Sequence, residues 1–143
     1  MPISGSLRNR QQYRCRYMTL HILLPILTGL AFYLFIRKED SLFEEWINWS
    51  ATIKLELPAV LTGTLPDFLW CYAFLSFQQL VWGSWERVPF LLRSLIYFFV
   101  PFTELLQYWH VLHGTGDILD VAAYLLAFII HYKTNKPLEY ENN

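Results

Sequence analysis

Charge is what this chain has least of. Asp, Glu, Lys and Arg together make up 16% of its 143 residues, and the formal net charge is -1. An ordinary soluble domain carries about 25% of such residues. The near balance of sign excludes an electrostatic nucleic-acid binder, because no basic stripe is left once the cations flanking the apolar runs are counted. Cysteine is scarce as well. Cys15 and Cys71 fall on opposite sides of the membrane in the topology below, so they cannot pair and no disulfide framework is expected. The sequence has no HExxH or comparable metal-ligand spacing, no Ser-His-Asp arrangement, no internal repeat and no low-complexity segment. The Gly-Thr-Gly turn at 114–116 is too short to cradle a phosphate.

What fills the space is apolar. Hydrophobic residues make up 55% and aromatics 18%, and the mean hydropathy is positive, which points to an integral membrane protein. Residues 1–17 form a polar segment carrying Arg8, Arg10, Arg14 and Arg16. The apolar run 18–36 follows, long enough to cross about 30 Å of hydrocarbon and too long for the core of a secretory signal. Pro25 is placed to bend it. Further spans are expected at about 67–85, 88–109 and 116–132, with a polar tail at 133–143. Pro66 and Asp67 suit the first turn of the second span, and the stretch before them reads as extended or looped. Ser41 and Glu44 fit a capping box. Leu42, Phe43, Trp46, Ile47 and Trp49 then form the apolar face of a short amphipathic helix in the interface. The expected fold is all-α: an integral membrane four-helix bundle over 18–132, with that short helix between its first two spans.

Orientation follows from the cations. Arg8, Arg10, Arg14, Arg16, Arg87, Arg93, Lys133 and Lys136 lie on the side of the termini, against Arg37, Lys38 and Lys54 on the other. Both termini are therefore expected in the cytoplasm of a plasma (inner) membrane.

One stretch breaks the apolar pattern. Glu104, Gln107, His110, His113, Asp117 and Asp120 occur within seventeen positions, between the third and fourth apolar runs, and all fall toward the exoplasmic end with Asp67. An ionised side chain at a helix centre costs roughly 2.5–3.5 kcal/mol on insertion scales, so a chain that gathers several there has a use for them. Plainer roles exist for some. Asp67 and Asp117 can serve as acids at helix starts, and His110 and His113 can hydrogen-bond lipid headgroups. His21 and His131 read as ordinary interfacial residues. Glu104 and Asp120 are set a turn or more inside their helices, where capping explains neither. At 100° per residue, Arg93, Tyr97, Glu104 and Gln107 share one sector of the third span. Asp67, Cys71, Phe74 and Gln78 share one of the second, and Asp117, Asp120, Tyr124 and His131 one of the fourth. Such polar stripes turn inward in lipid. The seven candidate binding residues are thus Glu104, Gln107, Asp120, Asp117, Asp67, His110 and His113.

The run Glu104-Leu105-Leu106-Gln107, followed by Asp120 on the next helix, resembles the VanZ-like family of small bacterial membrane proteins. The stretch 66–74, with its Asp67, is similar to the acid-bearing start of an earlier helix in that family. The resemblance covers about residues 60–132. Where the family has an Arg, this chain has the 113–115 region; Tyr124 stands for an Asn and Ala127 for a Gly. Glu104, Gln107 and Asp120 carry over, and an Arg-dependent role does not. The resemblance implies an envelope-associated bacterial protein, of a family linked to glycopeptide resistance, and no particular reaction.

The expected function is binding, at the acidic exoplasmic mouth, of an envelope component such as a lipid-linked precursor, or of a partner membrane protein. Membrane lipids are the surrounding partner; no cofactor, metal or nucleic acid is assigned. Two other readings stay open. One is a metal-dependent enzyme acting on a lipid-linked headgroup, with Glu104 as base. The other is a structural subunit of a membrane complex.

Overall fold

The computed structural model describes residues 3–35, 58–112 and 117–134. The interfacial helix expected at 41–49, His113 and the tail from 135 lie outside them. Every regular element among the described residues is helical. The first is α1 (Ile3–Met18), which runs through a π-helical turn (Thr19–Leu23) into α2 (Leu24–Phe35) without a break. At 1.5 Å per residue the three segments together are about 50 Å long. The basic N-terminal segment is therefore the same helix as the first apolar run, not a separate arm. Its Arg and Gln residues are good helix formers, and no Gly or Pro interrupts them after Gly5.

The second long helix, α3 (Ala59–Trp82), begins earlier than the sequence implies. Pro58 takes the N-cap position, and its carbonyl accepts from the backbone N–H of Leu61 at 2.8 Å. Pro66 therefore lies inside the helix, and Asp67 is well past its first turn. Proline is tolerated there because its ring is fully buried against neighbouring helices, a setting in which an interrupted ladder is supported by packing. α3 stops at Gly83, whose φ of 81° lets its N–H return to the Gln79 carbonyl at 2.7 Å, a left-handed cap that glycine adopts without strain. A short 3₁₀ turn (Trp85–Arg87) leads into α4 (Phe90–Ser94), a second π turn (Leu95–Phe99) and α5 (Val100–Tyr108). The last helix is α6 (Ile118–Thr134).

α3 is the central element. It packs most extensively on α6 and next on α2, and α5 packs on α6. Asp67 lies by Tyr124 and Tyr72 by His131, so α3 and α6 run parallel, with α4 and α5 returning between them. Small residues are buried on α6, the helix that packs most extensively on α3: Ala123 and Ala127 are buried, as is Leu75 of α3. Between α2 and α3 the same device uses Gly29, over which the Trp70 indole lies so closely that an added Cβ would meet its Cδ1 at 2.7 Å.

Outward faces are apolar. Phe90, Leu91, Phe98 and Tyr132 are each more than 70% exposed, an extent of bare hydrocarbon that a water-facing surface rarely presents. Two helical stretches, Arg8–Phe32 and Phe90–Tyr108, are long and apolar enough to cross a membrane.

Candidate functional site

Glu104 stands one turn before the end of α5 and reaches across to α6. Its carboxylate accepts from the Tyr124 hydroxyl and from the backbone N–H of Asp117, and both Asp120 and Asp117 lie within electrostatic range. Tyr124 in turn feels Asp67 and Cys71 of α3 as well as Glu104 and Asp120. Three of the acids read from the sequence, Asp67, Glu104 and Asp120, thus gather around one phenol, with Asp117 beside Glu104. Glu104, Asp120 and Asp67 are half-buried, and Asp117 is exposed.

The site residues divide by role. The Asp117 side chain accepts from the backbone N–H of Leu119 at 2.9 Å, and its carbonyl accepts from that of Asp120 at 3.0 Å. That is an N-cap, which satisfies a donor the helix leaves orphaned, so Asp117 has a structural task beside its place in the cluster. Because α6 starts at Ile118, Asp120 lies in its first turn, where the helix dipole also favours an acid, and not a turn inside as the sequence suggests. Gln107 is half-buried near the end of α5. His110 is exposed and has a φ of 58°, with its N–H on the Gln107 carbonyl at 2.9 Å. It occupies the left-handed position that ends α5, where glycine is the usual occupant. Phe74, expected on the inward stripe of α3, is 45% exposed.

His110→Gly is expected to leave the fold intact and to range from neutral to about 1 kcal/mol more stable, because left-handed strain of about 1–2 kcal/mol is relieved against the added freedom of glycine in the unfolded chain. Thermal unfolding in detergent checks it. A drop in midpoint would mean that the imidazole holds something.

A second polar cluster lies at the other end, and the sequence reading passed over it. His131 is only 3% exposed. Its ring meets Tyr72 and Trp85 edge-on, at centroid distances of 6.3 and 5.3 Å. Tyr72 also bonds His21, whose Nδ1 is 2.6 Å from the phenol oxygen, and His21 stacks on Tyr17 at 4.6 Å. On the far side Trp85 meets Tyr97, which packs edge-on against Phe128 at 4.8 Å. The Nε2 of His131 has no hydrogen-bond partner among the described residues. The two histidines looked interfacial because each is near a helix end; what buries His131 is aromatic rings supplied by α3 and the 3₁₀ turn.

Among the described residues no group of three or more His, Cys, Asp or Glu side chains has a metal-holding arrangement. Comparison with protein-family models, with curated proteins and with solved structures finds no match.

Proposed function

We propose that the chain is a four-span bacterial inner-membrane protein of the VanZ-like kind, with both termini in the cytoplasm, and that its acidic end binds an envelope component or a partner membrane protein from the exoplasmic side. The observation that carries this reading is the meeting of Glu104, Asp120 and Asp67 around Tyr124. A half-buried group of carboxylates beside apolar walls suits a ligand that brings a cation or several hydrogen-bond donors, such as an ammonium group or the amide and hydroxyl groups of a lipid-linked precursor. Like charges so near each other are costly while nothing lies between them. A donor-rich ligand relieves that cost, so its binding energy is concentrated where the protein is least comfortable.

The four-span topology is supported by the apolar outer faces, by the parallel course of α3 and α6 with α4 and α5 returning between them, and by the gathering of Arg8, Arg10, Arg14, Arg16, Arg87 and Arg93 at the end opposite the acids. Native mass spectrometry of the protein released from mild detergent tests the function. A bound envelope lipid or partner that is retained by the wild type and lost from Glu104→Gln is the expected result. A wild-type protein that carries only bulk phospholipid, in the same amount as the variant, would count against it. Cysteines placed at 45 and 140 test the topology: labelling of only the first from outside intact cells is expected.

A further inference from the structure

The return path and α6 meet at one end only. α5 packs on α6, but among the described residues no Cα of α4 or of its π turn lies within 8 Å of α3 or α6. The two therefore diverge toward the arginine-bearing end. The divergence has an ordinary cause. A π turn (Leu95–Phe99) and Pro101 stand where the path leaves α6, and helices bend at such places. Large side chains span the space: Tyr97 reaches Phe128 and Trp85 reaches His131, at ring centroid distances of 4.8 and 5.3 Å. On the lipid side the walls are Phe90, Leu91 and Phe98 of the return path and Tyr132 of α6, each more than 70% exposed. A wedge thus opens sideways into the membrane, at the end opposite the acids.

Three of the buried polar atoms at this end have no hydrogen-bond partner among the described residues: Nε2 of His131, Oε1 of Gln78 and Nε of Arg93. His131 and Gln78 are only 3% and 6% exposed. His131 also hydrogen-bonds the Leu75 carbonyl. Since Nε2 is the unpartnered nitrogen, that bond comes from Nδ1–H, so Nε2 carries the lone pair and can only accept. A helix carbonyl points toward the C-terminus, so the same bond sets His131 level with Gln78, three residues on. Gln78 stands two turns past Cys71 on the same stripe of α3, and Cys71 lies within range of Tyr97, so Gln78 is on the side of the return path. Arg93 lies one turn before Tyr97, within electrostatic range of its phenol. Two buried acceptors and a guanidinium thus share one end of the wedge, around Trp85 and Tyr97. Left bare, such groups cost stability, and a leucine at 131 would pack in lipid without that cost. The surrounding charge is positive. Arg87, Arg93, Lys133 and the four arginines of α1 stand at this end, and Glu86 is the one acid there among the described residues.

We infer that the wedge holds the headgroup of one anionic phospholipid that carries hydroxyl groups, as phosphatidylglycerol does. Its phosphodiester accepts from Nε of Arg93, and its hydroxyls donate to Nε2 of His131 and Oε1 of Gln78. Its acyl chains lie on Phe90, Leu91 and Phe98. A bare phosphate would satisfy Arg93 but bring no donor to the two acceptors. An ammonium headgroup would bring donors, but with them a cation beside Arg93 and Lys133, where like charges repel. Basic pockets between spanning helices on the cytoplasmic side take anionic headgroups; the pair of buried acceptors is what selects for hydroxyls here. The leaflet is the cytoplasmic one under the four-span topology proposed above. The contacts themselves depend neither on that topology nor on what the acidic end binds.

The test is native mass spectrometry of the full chain from mild detergent, after exchange with single lipids at equal concentration. The lipids are phosphatidylglycerol, phosphatidylmethanol (the same charge without a hydroxyl) and phosphatidylethanolamine. One phosphatidylglycerol per chain is expected, retained about tenfold better than either of the others, the worth of one or two buried hydrogen bonds. Arg93→Gln and His131→Leu are expected to lose that preference. Arg14→Gln, which removes the same charge from α1 at the same end, is expected to keep it. Equal retention of phosphatidylglycerol and phosphatidylmethanol by the wild type overturns the assignment with no substitution made, so a variant that fails to fold does not shelter it. Equal losses in Arg14→Gln and Arg93→Gln overturn it as well, because they reduce the preference to general attraction between charges. So does a wild-type chain that retains none of the three lipids above the level of chance adducts, since water alone would then fill the wedge. Failure of the acidic end to hold an envelope ligand would leave a phosphatidylglycerol preference standing.

Discussion

Glu104→Gln is expected to abolish complementation of the gene's deletion phenotype while the protein accumulates in the membrane at the wild-type level. The substitution keeps the shape of the side chain. It keeps a carbonyl oxygen to accept from the Tyr124 hydroxyl or the Asp117 N–H, the two donors that hold Glu104 across the α5–α6 seam. What it removes is the charge that Glu104 sets beside Asp120. Losing a like-charge neighbour does not destabilise the fold; it removes a repulsion. Losing a charged acceptor at a half-buried site weakens a donor-bearing ligand by about 1.5–3 kcal/mol, roughly 10- to 100-fold in Kd. Stability and activity are thus expected to part company at this residue. Immunodetection of membrane fractions gives the first, and complementation gives the second. The double variant Glu104→Gln/Asp120→Asn separates a site from a mere stabilising pair. Full activity in that variant would show that the carboxylates have no role beyond packing.

The last helices were legible because each is written as one long apolar run. The runs 88–109 and 116–132 correspond closely to the path from Phe90 to Tyr108 and to Ile118–Thr134, since long apolar runs have few other uses. The starts were harder. Pro66 reads as a helix opener, and its neighbour Asp67 strengthens that reading, but Pro58 does the same work eight residues earlier and the chain between them is free to be helical. The angular bookkeeping at 100° per residue also breaks down across a π turn, which adds a residue to the turn and rotates all that follows. Arg93 and Glu104 lie on either side of Leu95–Phe99, so their shared sector on a regular wheel is not a property of the real helix. Tyr97 and Glu104 face α6 nonetheless, through Phe128 and Tyr124. A proline stands four residues after an aromatic ring at both π turns, but also after Trp85, where the chain makes a 3₁₀ turn, so that spacing does not by itself mark a π turn. The burial of His131 had no signal, because it depends on rings that arrive from two other stretches of chain, Tyr72 of α3 and Trp85 of the 3₁₀ turn.

Ala127→Leu should be the most damaging single change to the fold, and Ala122→Leu on the same helix should be nearly silent. Ala127 has no exposed surface and Ala123 has 3%, on the helix that packs most extensively on α3, where Leu75 is likewise at 0%. Helices in lipid gain nothing from hiding leucine, because lipid tails are as apolar as leucine itself. They associate through close packing, and small residues let the backbones approach. A leucine at 127 has no cavity to enter, so it must push α3 away or leave its rotamer, which costs about 1–3 kcal/mol in a well-packed core. Ala122 is exposed, and surface changes of this kind stay within about 0.5 kcal/mol. Thermal unfolding in detergent reads the difference. Equal losses in the two variants would point to a general effect on the helix and not to the α3–α6 seam. The seam also sets the distance from Asp67 to Tyr124 and from Tyr72 to His131, so Ala127→Leu is expected to disturb both clusters at once, although it touches none of these side chains' chemistry. An Ala127→Gly variant, which leaves the approach open, is expected to keep both, at a helix-propensity cost of about 1 kcal/mol.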